Sequence, residues 1–337
     1  MKPRRTSRPL NDMPGLFDSL DFRPDAGLPA DDAADLRRRE ILAEARRNSI
    51  STVQIADHSA EKLRFVSFGS GSSGNCAFVG TLRCGVLVDA GVDADKVQAG
   101  LKANGIDPAR VAGIIITHDH GDHVRYAYTI LRRYPHMKLW ATPRCLNGIL
   151  RRHSISRRIK DYHAPIYKEF AVAIGDLSIT PFETSHDGTD NVGFCIEYRG
   201  HTLVIATDTG RITDRADFYI RKADILMIEA NYDADMLRRC ARPEYLKARI
   251  ASERGHMDNA DTARYLAGMW TGSLTHIYLC HISEDTNTPE QALATIGGAL
   301  AAAGISVGDG SGRLDQRDAD VQLTALPRFD CSPLSIW

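Results

Sequence analysis

No apolar run in this 337-residue chain approaches the roughly 20 residues that a membrane-crossing helix requires. The start, Met1-Lys2-Pro3-Arg4-Arg5, is basic but lacks the apolar core of a secretory signal. Seven cysteines, an odd number without paired spacing, argue against a disulfide framework and for a reducing compartment. Cys76, Cys84, Cys195 and Cys280 lie in apolar stretches and read as buried thiols. Neither sign of charge prevails: 42 basic residues face 43 acidic ones, so the overall balance points to no particular partner. Repeats and low-complexity tracts are also missing. These absences exclude a helical membrane protein and a disulfide-stapled secreted module, and the expectation is a cytoplasmic protein. What is present is 43% hydrophobic residues, enough for a substantial core in one large domain or two ordinary ones.

Residues 1–61 differ from the rest. Pro3, Pro9, Pro14, Pro24 and Pro29 punctuate a polar stretch that reads as a mobile extension, in which Asp31 to Arg47 could form one charged helix. Its small apolar patch, Leu16 and Phe17 with Leu20 and Phe22, could dock on the domain or on a protein partner. Strand-like runs then recur: 63–68, 76–79, 85–89, 111–117, 138–141, 171–174, 177–182, 193–198, 202–207, 225–229 and 277–280. Helical patterns fit 94–104, 124–134, 243–254, 259–269 and 289–303. Strands with interspersed helices indicate a layered α/β domain over 62–305. Residues 306–337 read as a polar, glycine- and aspartate-rich tail with an apolar finish.

The chemistry concentrates in Thr117-His118-Asp119-His120-Gly121-Asp122-His123, directly after the apolar run Val111 to Ile116. A buried strand would place His118 at its carboxyl end, where open α/β sheets usually hold ligands. Crowding imidazoles and carboxylates this closely is costly unless divalent cations compensate. A solvated surface turn would explain a single histidine pair, not this density. Histidine nitrogen with carboxylate oxygen suits zinc, manganese or iron, and no cysteine stands among them as in structural zinc sites. Later strand ends supply further donors: His186 after Leu177 to Phe182, Asp208 after Thr202 to Thr207, and His281 after His276 to Cys280. Taken singly, Asp208 could cap a helix and His281 could be a core histidine.

The order His118-x-His120-x-Asp122-His123, then His186, Asp208 and His281, resembles the ligand ladder of the metallo-β-lactamase fold superfamily. Asp89 in Leu87-Val88-Asp89-Ala90-Gly91 matches that family's first motif. More narrowly, Gly69-Ser70-Gly71-Ser72-Ser73-Gly74-Asn75, Thr207-Asp208-Thr209-Gly210, Glu229-Ala230-Asn231-Tyr232-Asp233, Gly255-His256 and Cys280-His281-Ile282-Ser283-Glu284-Asp285-Thr286-Asn287 resemble the YycJ/WalJ subgroup of 5′-to-3′ exonucleases acting on DNA. The similarity runs over roughly residues 63–305. Gly121 and Asp258 stand where serine is expected, and Asp119 where glutamate is usual.

The resemblance implies a four-layer αββα sandwich without the β-CASP cap of the RNA-processing branch. It implies two divalent ions, zinc or manganese, with His118, His120 and His186 on one, Asp122, His123 and His281 on the other, and Asp208 between them. Asp122 could also orient the nucleophile, and Asp89 would hold a ligand imidazole from behind. His256 resembles the catalytic histidine of the related tRNase Z enzymes, with Glu229 at the position of its acidic partner; general acid and phosphate contact are both open to it. The Ser70, Ser72, Ser73 and Asn75 turn could cradle phosphate, although any hairpin can carry such residues. Arg151, Arg152, Arg157 and Arg158, with Arg144 and Lys160, form a positive stretch suited to tracking a nucleic-acid backbone. A second stretch, Arg238 to Arg254, is diluted by acids and could equally be a solvated face. Tyr162 and Tyr167 could stack on bases or pack in the core. DNA is thus the favoured substrate, with RNA also open; the alternative is a small-molecule ester, lactone or thioester hydrolase on the same fold.

Overall fold

The computed structural model describes residues 60–311 and 318–337. The expected extension over 1–61, with its charged helix and apolar patch, lies almost entirely outside the described residues. Within them two sheets form. The first runs, in spatial order, β15 (Ser335–Ile336), β1 (Arg64–Gly69), β2 (Cys76–Gly80), β3 (Gly85–Val88), β4 (Val111–Ile115), β5 (Lys138–Ala141) and β6 (His163–Pro165). The second runs β13 (Val307–Gly308), β14 (Val321–Ala325), β12 (His276–Cys280), β11 (Ile225–Glu229), β10 (His201–Ala206), β9 (Val192–Tyr198), β8 (Leu177–Glu183) and β7 (Val172–Ile174).

Period-two alternation builds the layers. Leu63 and Phe65 pack between the sheets with Leu203, Ile205 and Ile225. Their neighbours Val66 and Phe68 face outward onto helices Ala94–Ala103, Ala127–Arg133 and Pro143–Arg152. On the second sheet Val204 and Ala206 face helices Asp214–Ile220, Asn259–Met269 and Pro289–Ala302. The outcome is the expected four-layer αββα sandwich. Between Asp208 and His281 the chain forms only β11, β12 and short helices, with no inserted cap among the described residues.

Direction matters for the site. β3, β4, β5 and β6 pair in parallel, as do β10, β11, β12 and β14. Antiparallel steps from β8 to β9 and β9 to β10 turn β8 the same way as β10. The carboxyl ends of β3, β4, β8, β10, β11 and β12 therefore open on one edge of the sandwich.

Residues 306–337 are not a tail: β14 pairs with both β12 and β13, and β15 pairs with β1. Val321 and Leu323 are buried, and the Trp337 N–H donates to the Leu63 carbonyl at 3.0 Å. The alternation Val321-x-Leu323-x-Ala325 spans only five residues, and the polar run before it hid the strand. The helix read over 124–134 is likewise two pieces, a single turn at Gly121–Val124 and then Ala127–Arg133.

Candidate metal centre

Three of the candidate residues end strands in a backbone conformation that side chains rarely adopt. Asp89 (φ 61°), Asp208 (φ 49°) and His281 (φ 54°) are all left-handed. Such a conformation costs of the order of 1–3 kcal/mol, persists only where its surroundings enforce it, and concentrates at functional sites. At each one the chain leaves its strand sharply and turns a polar side chain into the edge between the sheets. The loop after β4 is pinned from below. Gly91 passes so close to it that an added Cβ would meet the Asp122 carbonyl at 1.5 Å, so no larger residue fits there.

Four of the five imidazoles are tethered through Nδ1, which leaves Nε2 facing the centre. His118 Nδ1 lies 3.1 Å from the Thr117 hydroxyl. His123 Nδ1 donates to Asp89 at 2.7 Å, and Asp89 also accepts from the Thr117 N–H and hydroxyl. His186 Nδ1 donates to the Gly255 carbonyl at 2.8 Å, and His281 Nδ1 to Glu229 at 2.8 Å. Tethering of this kind fixes tautomer and ring orientation. Around the centre His123 Nε2 stands 3.3 Å from one Asp208 oxygen, and His186 Nε2 3.7 Å from the other. His118 Nε2 is 3.9 Å from Asp208, and Asp122 lies 3.6 Å from His123 and 3.5 Å from His281. Donor atoms of His118, His120 and His186 fall within 4.8 Å of one another, as do those of Asp122, His123 and His281, and those of His118, His123 and Asp208.

Electrostatics separate the cluster into two halves. Burial holds His118, His120 and His186 below the usual imidazole value, His120 at about 4, so these three are neutral with a lone pair to offer. Burial also opposes charge on His123 and His281, but the carboxylates outweigh it. Asp208, Asp89 and Asp122 raise His123 well above normal, and Asp208, Asp122 and Glu229 lift His281 to about 10. Burial would raise Asp122 and Asp208, yet the neighbouring histidines pull Asp122 to about 2 and Asp208 well below its ordinary range. The carboxylates are thus ionised and demand positive charge, which protons on two histidines supply. His118 Nε2 and His281 Nε2 are buried without a hydrogen-bond partner. Orphaned nitrogens beside ionised carboxylates are what divalent cations would satisfy, and the donor set fits them.

Beside this cluster Glu229, fully buried at the end of β11, accepts from His281 and, at 2.7 Å, from His256 Nδ1. The Thr209 and Met257 N–H groups also donate to it, at 2.9 and 3.3 Å. Glu229 engages only Nδ1 of His256, and the residue lines the cavity beside the cluster. A cavity of about 510 Å³ takes in His120, Asp122, Asp208, His256 and His281, bordered by Ser72, Arg152, His153, Arg242 and Arg249.

The structure redistributes the residues expected to hold phosphate. Ser72 borders the cavity, but Ser70 and Asn75 are buried within the site's own framework, which corrects their assignment. The Ser70 hydroxyl accepts the His281 N–H at 2.9 Å. The Asn75 side chain is spent on Gly71 and on His123, 3.0 Å away. Ser73 is half-buried and does not line the cavity. Arg152 reaches the rim and pairs with Asp119 at 3.4 Å; Arg151, Arg157 and Arg158 are exposed beyond it. Arg158 faces Asp161 at 3.8 Å. Most of the second basic stretch is bound to acids: Arg238 to Asp235, Arg242 to Asp285 and Arg249 to Asp187. Tyr162 packs against the core beside Tyr128, whereas Tyr167 is exposed.

Sequence reading missed Asp187, Asn231 and the work of Asp119. Asn231 donates to the His281 carbonyl at 2.7 Å. Asp119 is buried, accepts from the Thr189 N–H and hydroxyl at 2.8 and 2.6 Å, and so ties the histidine loop to the loop after His186. Gly148 backs it so tightly that a Cβ would come within 2.0 Å of its carboxylate, a space suited to the shorter acid. Asp258, at another departure from the family pattern, caps helix Asn259–Met269 by accepting the Asp261 N–H at 2.7 Å. Aspartate and serine serve equally well there.

The model of the beta-lactamase superfamily domain matches residues 85–282. The chain is 32% identical to the exodeoxyribonuclease YycJ of Bacillus anthracis over 247 residues, covering 73% of this chain and 92% of that protein. The chain belongs to the metallo-β-lactamase superfamily. Its similarity to the exodeoxyribonuclease WalJ of Streptococcus pneumoniae is 30% over 245 residues, 73% of this chain and 91% of the relative. Among solved structures of the superfamily fold, the YhfI protein of Bacillus subtilis superposes with a TM-score of 0.58 at 14% identity, over 82% of this chain and 100% of that one. Zn(2+)-bound PqqB of Methylobacterium extorquens superposes with a TM-score of 0.55 at 17% identity, over 80% and 99%. With its donor residues intact, this superfamily member is a metal-dependent hydrolase.

Proposed function

We propose that this protein is a 5′-to-3′ exonuclease that removes nucleotides from DNA in the cytoplasm, and that RNA strands are secondary substrates. The observation that carries the reading is the convergence of two donor groups with the His256–Glu229 pair on a single cavity rimmed by arginines. Relatives named exodeoxyribonucleases, matched over more than nine-tenths of their length, support DNA as the substrate; the direction of digestion rests on the resemblance of the sequence motifs to the YycJ/WalJ subgroup.

In this reading His118, His120 and His186 would hold one divalent ion, Asp122, His123 and His281 a second, and Asp208 would contact both. Bound there, the ions would supply Lewis acidity toward the phosphoryl oxygens and a nucleophilic hydroxide at neutral pH. Asp122, about one-fifth exposed and held below its usual pKa, stays ionised at the cavity floor and orients the attacking group. Glu229 holds the His256 proton on Nδ1 and stabilises the cationic ring, so Nε2 can protonate the departing 3′-oxygen. The Thr209 N–H keeps Glu229 in place as that charge changes. Arg152 and Ser72 at the rim, with Arg151, Arg157 and Arg158 outside it, would contact the strand's phosphates.

Digestion of end-labelled single- and double-stranded oligonucleotides with defined 5′ groups, in zinc, manganese and magnesium, tests this. Release of mononucleotides from the 5′ end is the expected result; intact strands together with turnover of lactones or thioesters would replace it with the small-molecule reading. His256→Ala should slow cleavage by about 10²-fold or more while metal content is unchanged.

A further inference from the structure

Asp187, next to His186, is a carboxylate at the centre to which nothing above assigns a role. Its Oδ2 accepts from Arg249 Nε at 2.6 Å. Its Oδ1 is shut off from solvent, has no hydrogen-bond partner, and lies 3.3 Å from His120 Nε2 and 3.6 Å from His186 Nε2. His186 has already committed its proton, through Nδ1, to the Gly255 carbonyl. A neutral imidazole has only one N–H to give, so His186 has none left for Asp187. His120 remains.

His120 is also the one imidazole of the five whose Nδ1 is not tethered to an oxygen. That nitrogen instead lies 3.2 Å from His186 Nε2, and His120 shares a donor group with His118 and His186. For Nδ1 to present a lone pair there, the ring proton must sit on Nε2, on the side of Asp187. We propose that Asp187, braced by Arg249, is the positioning residue for His120: it accepts a hydrogen bond from the Nε2–H, fixes the tautomer, and turns Nδ1 toward the ion held with His118 and His186. A modest rotation of the carboxylate or the ring converts the 3.3 Å approach into an aligned hydrogen bond. Arg249 belongs to helix Glu244–Ile250, which borders the same cavity, so that helix is fastened to the metal centre through one carboxylate.

The proposal rests on His120 holding a divalent ion, and the test separates the two. Zinc affinity of the full chain would be measured by competition with a chromophoric chelator for Asp187→Ala, Asp187→Asn, Arg249→Ala, His120→Ala and the double variant His120→Ala/Asp187→Ala. Asp187→Ala should weaken zinc binding by about 10- to 100-fold, as expected for an outer partner of a ligating histidine. Asp187→Asn, which keeps an acceptor oxygen, should lose less, and exposed Arg249→Ala should fall between wild type and Asp187→Ala. In the His120→Ala background the Asp187 substitution should change affinity by no more than about twofold. Should Asp187→Ala fail to fold, Asp187→Asn and Arg249→Ala carry the comparison. Wild-type affinity in both Asp187→Ala and Arg249→Ala, or losses that simply add in the double variant, would overturn the proposal alone. Wild-type affinity in His120→Ala would overturn the ligand assignment together with it.

Discussion

Asp89 shows how one buried carboxylate can organise a centre without facing the substrate. It accepts the Thr117 N–H, the Thr117 hydroxyl and the His123 imidazole, joining the end of β3 to the loop after β4. Asp89→Asn replaces one acceptor oxygen by a donor and leaves His123 free to rotate. Metal affinity should fall by about 10- to 100-fold, read by chelator competition. Chemical denaturation should show a loss of about 2 kcal/mol from the charged hydrogen bonds. The position of Asp89 was legible in the sequence because a strand-end acid follows Leu87-Val88. Ser70 and Asn75 were misread for the opposite reason. A glycine-serine turn looks the same in a sequence whether its polar groups face solvent or hold up a neighbour such as the His281 N–H. Asp187 escaped notice because a carboxylate after a histidine has no periodic signature; its meaning comes from Arg249, far along the chain.

Among the elements, strands rich in β-branched residues were readable almost to the residue, since burial on both faces leaves unbroken apolar runs such as Ile225–Glu229. Helix Pro143–Arg152 was not, even though Thr142 caps it and Pro143 opens it, because its many arginines drew attention to charge rather than to Cys145, Leu146 and Ile149 on the buried face. Caps also explain a departure from the family pattern. Asp258→Ser should leave stability within about 0.5 kcal/mol, as both residues accept the Asp261 N–H, whereas Asp258→Ala should cost about 0.5–2 kcal/mol. Urea denaturation of the three proteins would check this. A large loss in Asp258→Ser would mean that the carboxylate does more than end a helix.

At the scale of the molecule, the fold is closed by its last residues. Val321–Ala325 covers the edge of β12, and Ser335–Ile336 covers the edge of β1, with Trp337 packed against His276 and Tyr278. Truncation before Val321 would strip two sheet edges at once and expose the apolar surface around Leu279. Such a chain should be recovered as insoluble material, and a soluble, cooperatively melting product would contradict the account. The weak signal of short strands after a polar run kept this closure out of sight in the sequence. Ion binding acts on the same scale, because ligands that prefer the native state stabilise it by mass action. Stripping the protein with a chelator should lower its melting temperature by about 10 °C, equivalent to roughly 4 kcal/mol for a thousandfold excess of ion over Kd.

The Nδ1 tethers on four of the imidazoles have a kinetic consequence. Small zinc domains acquire their shape only when the ion arrives, so capture waits for the chain to organise. Here the rings are already aimed, and the far-ultraviolet spectrum should be superimposable before and after loading. The speed of uptake is then left to the shedding of water by the ion and of protons by His123 and His281. A cell could fill this vessel, empty it and fill it again without ever asking the polypeptide to fold anew.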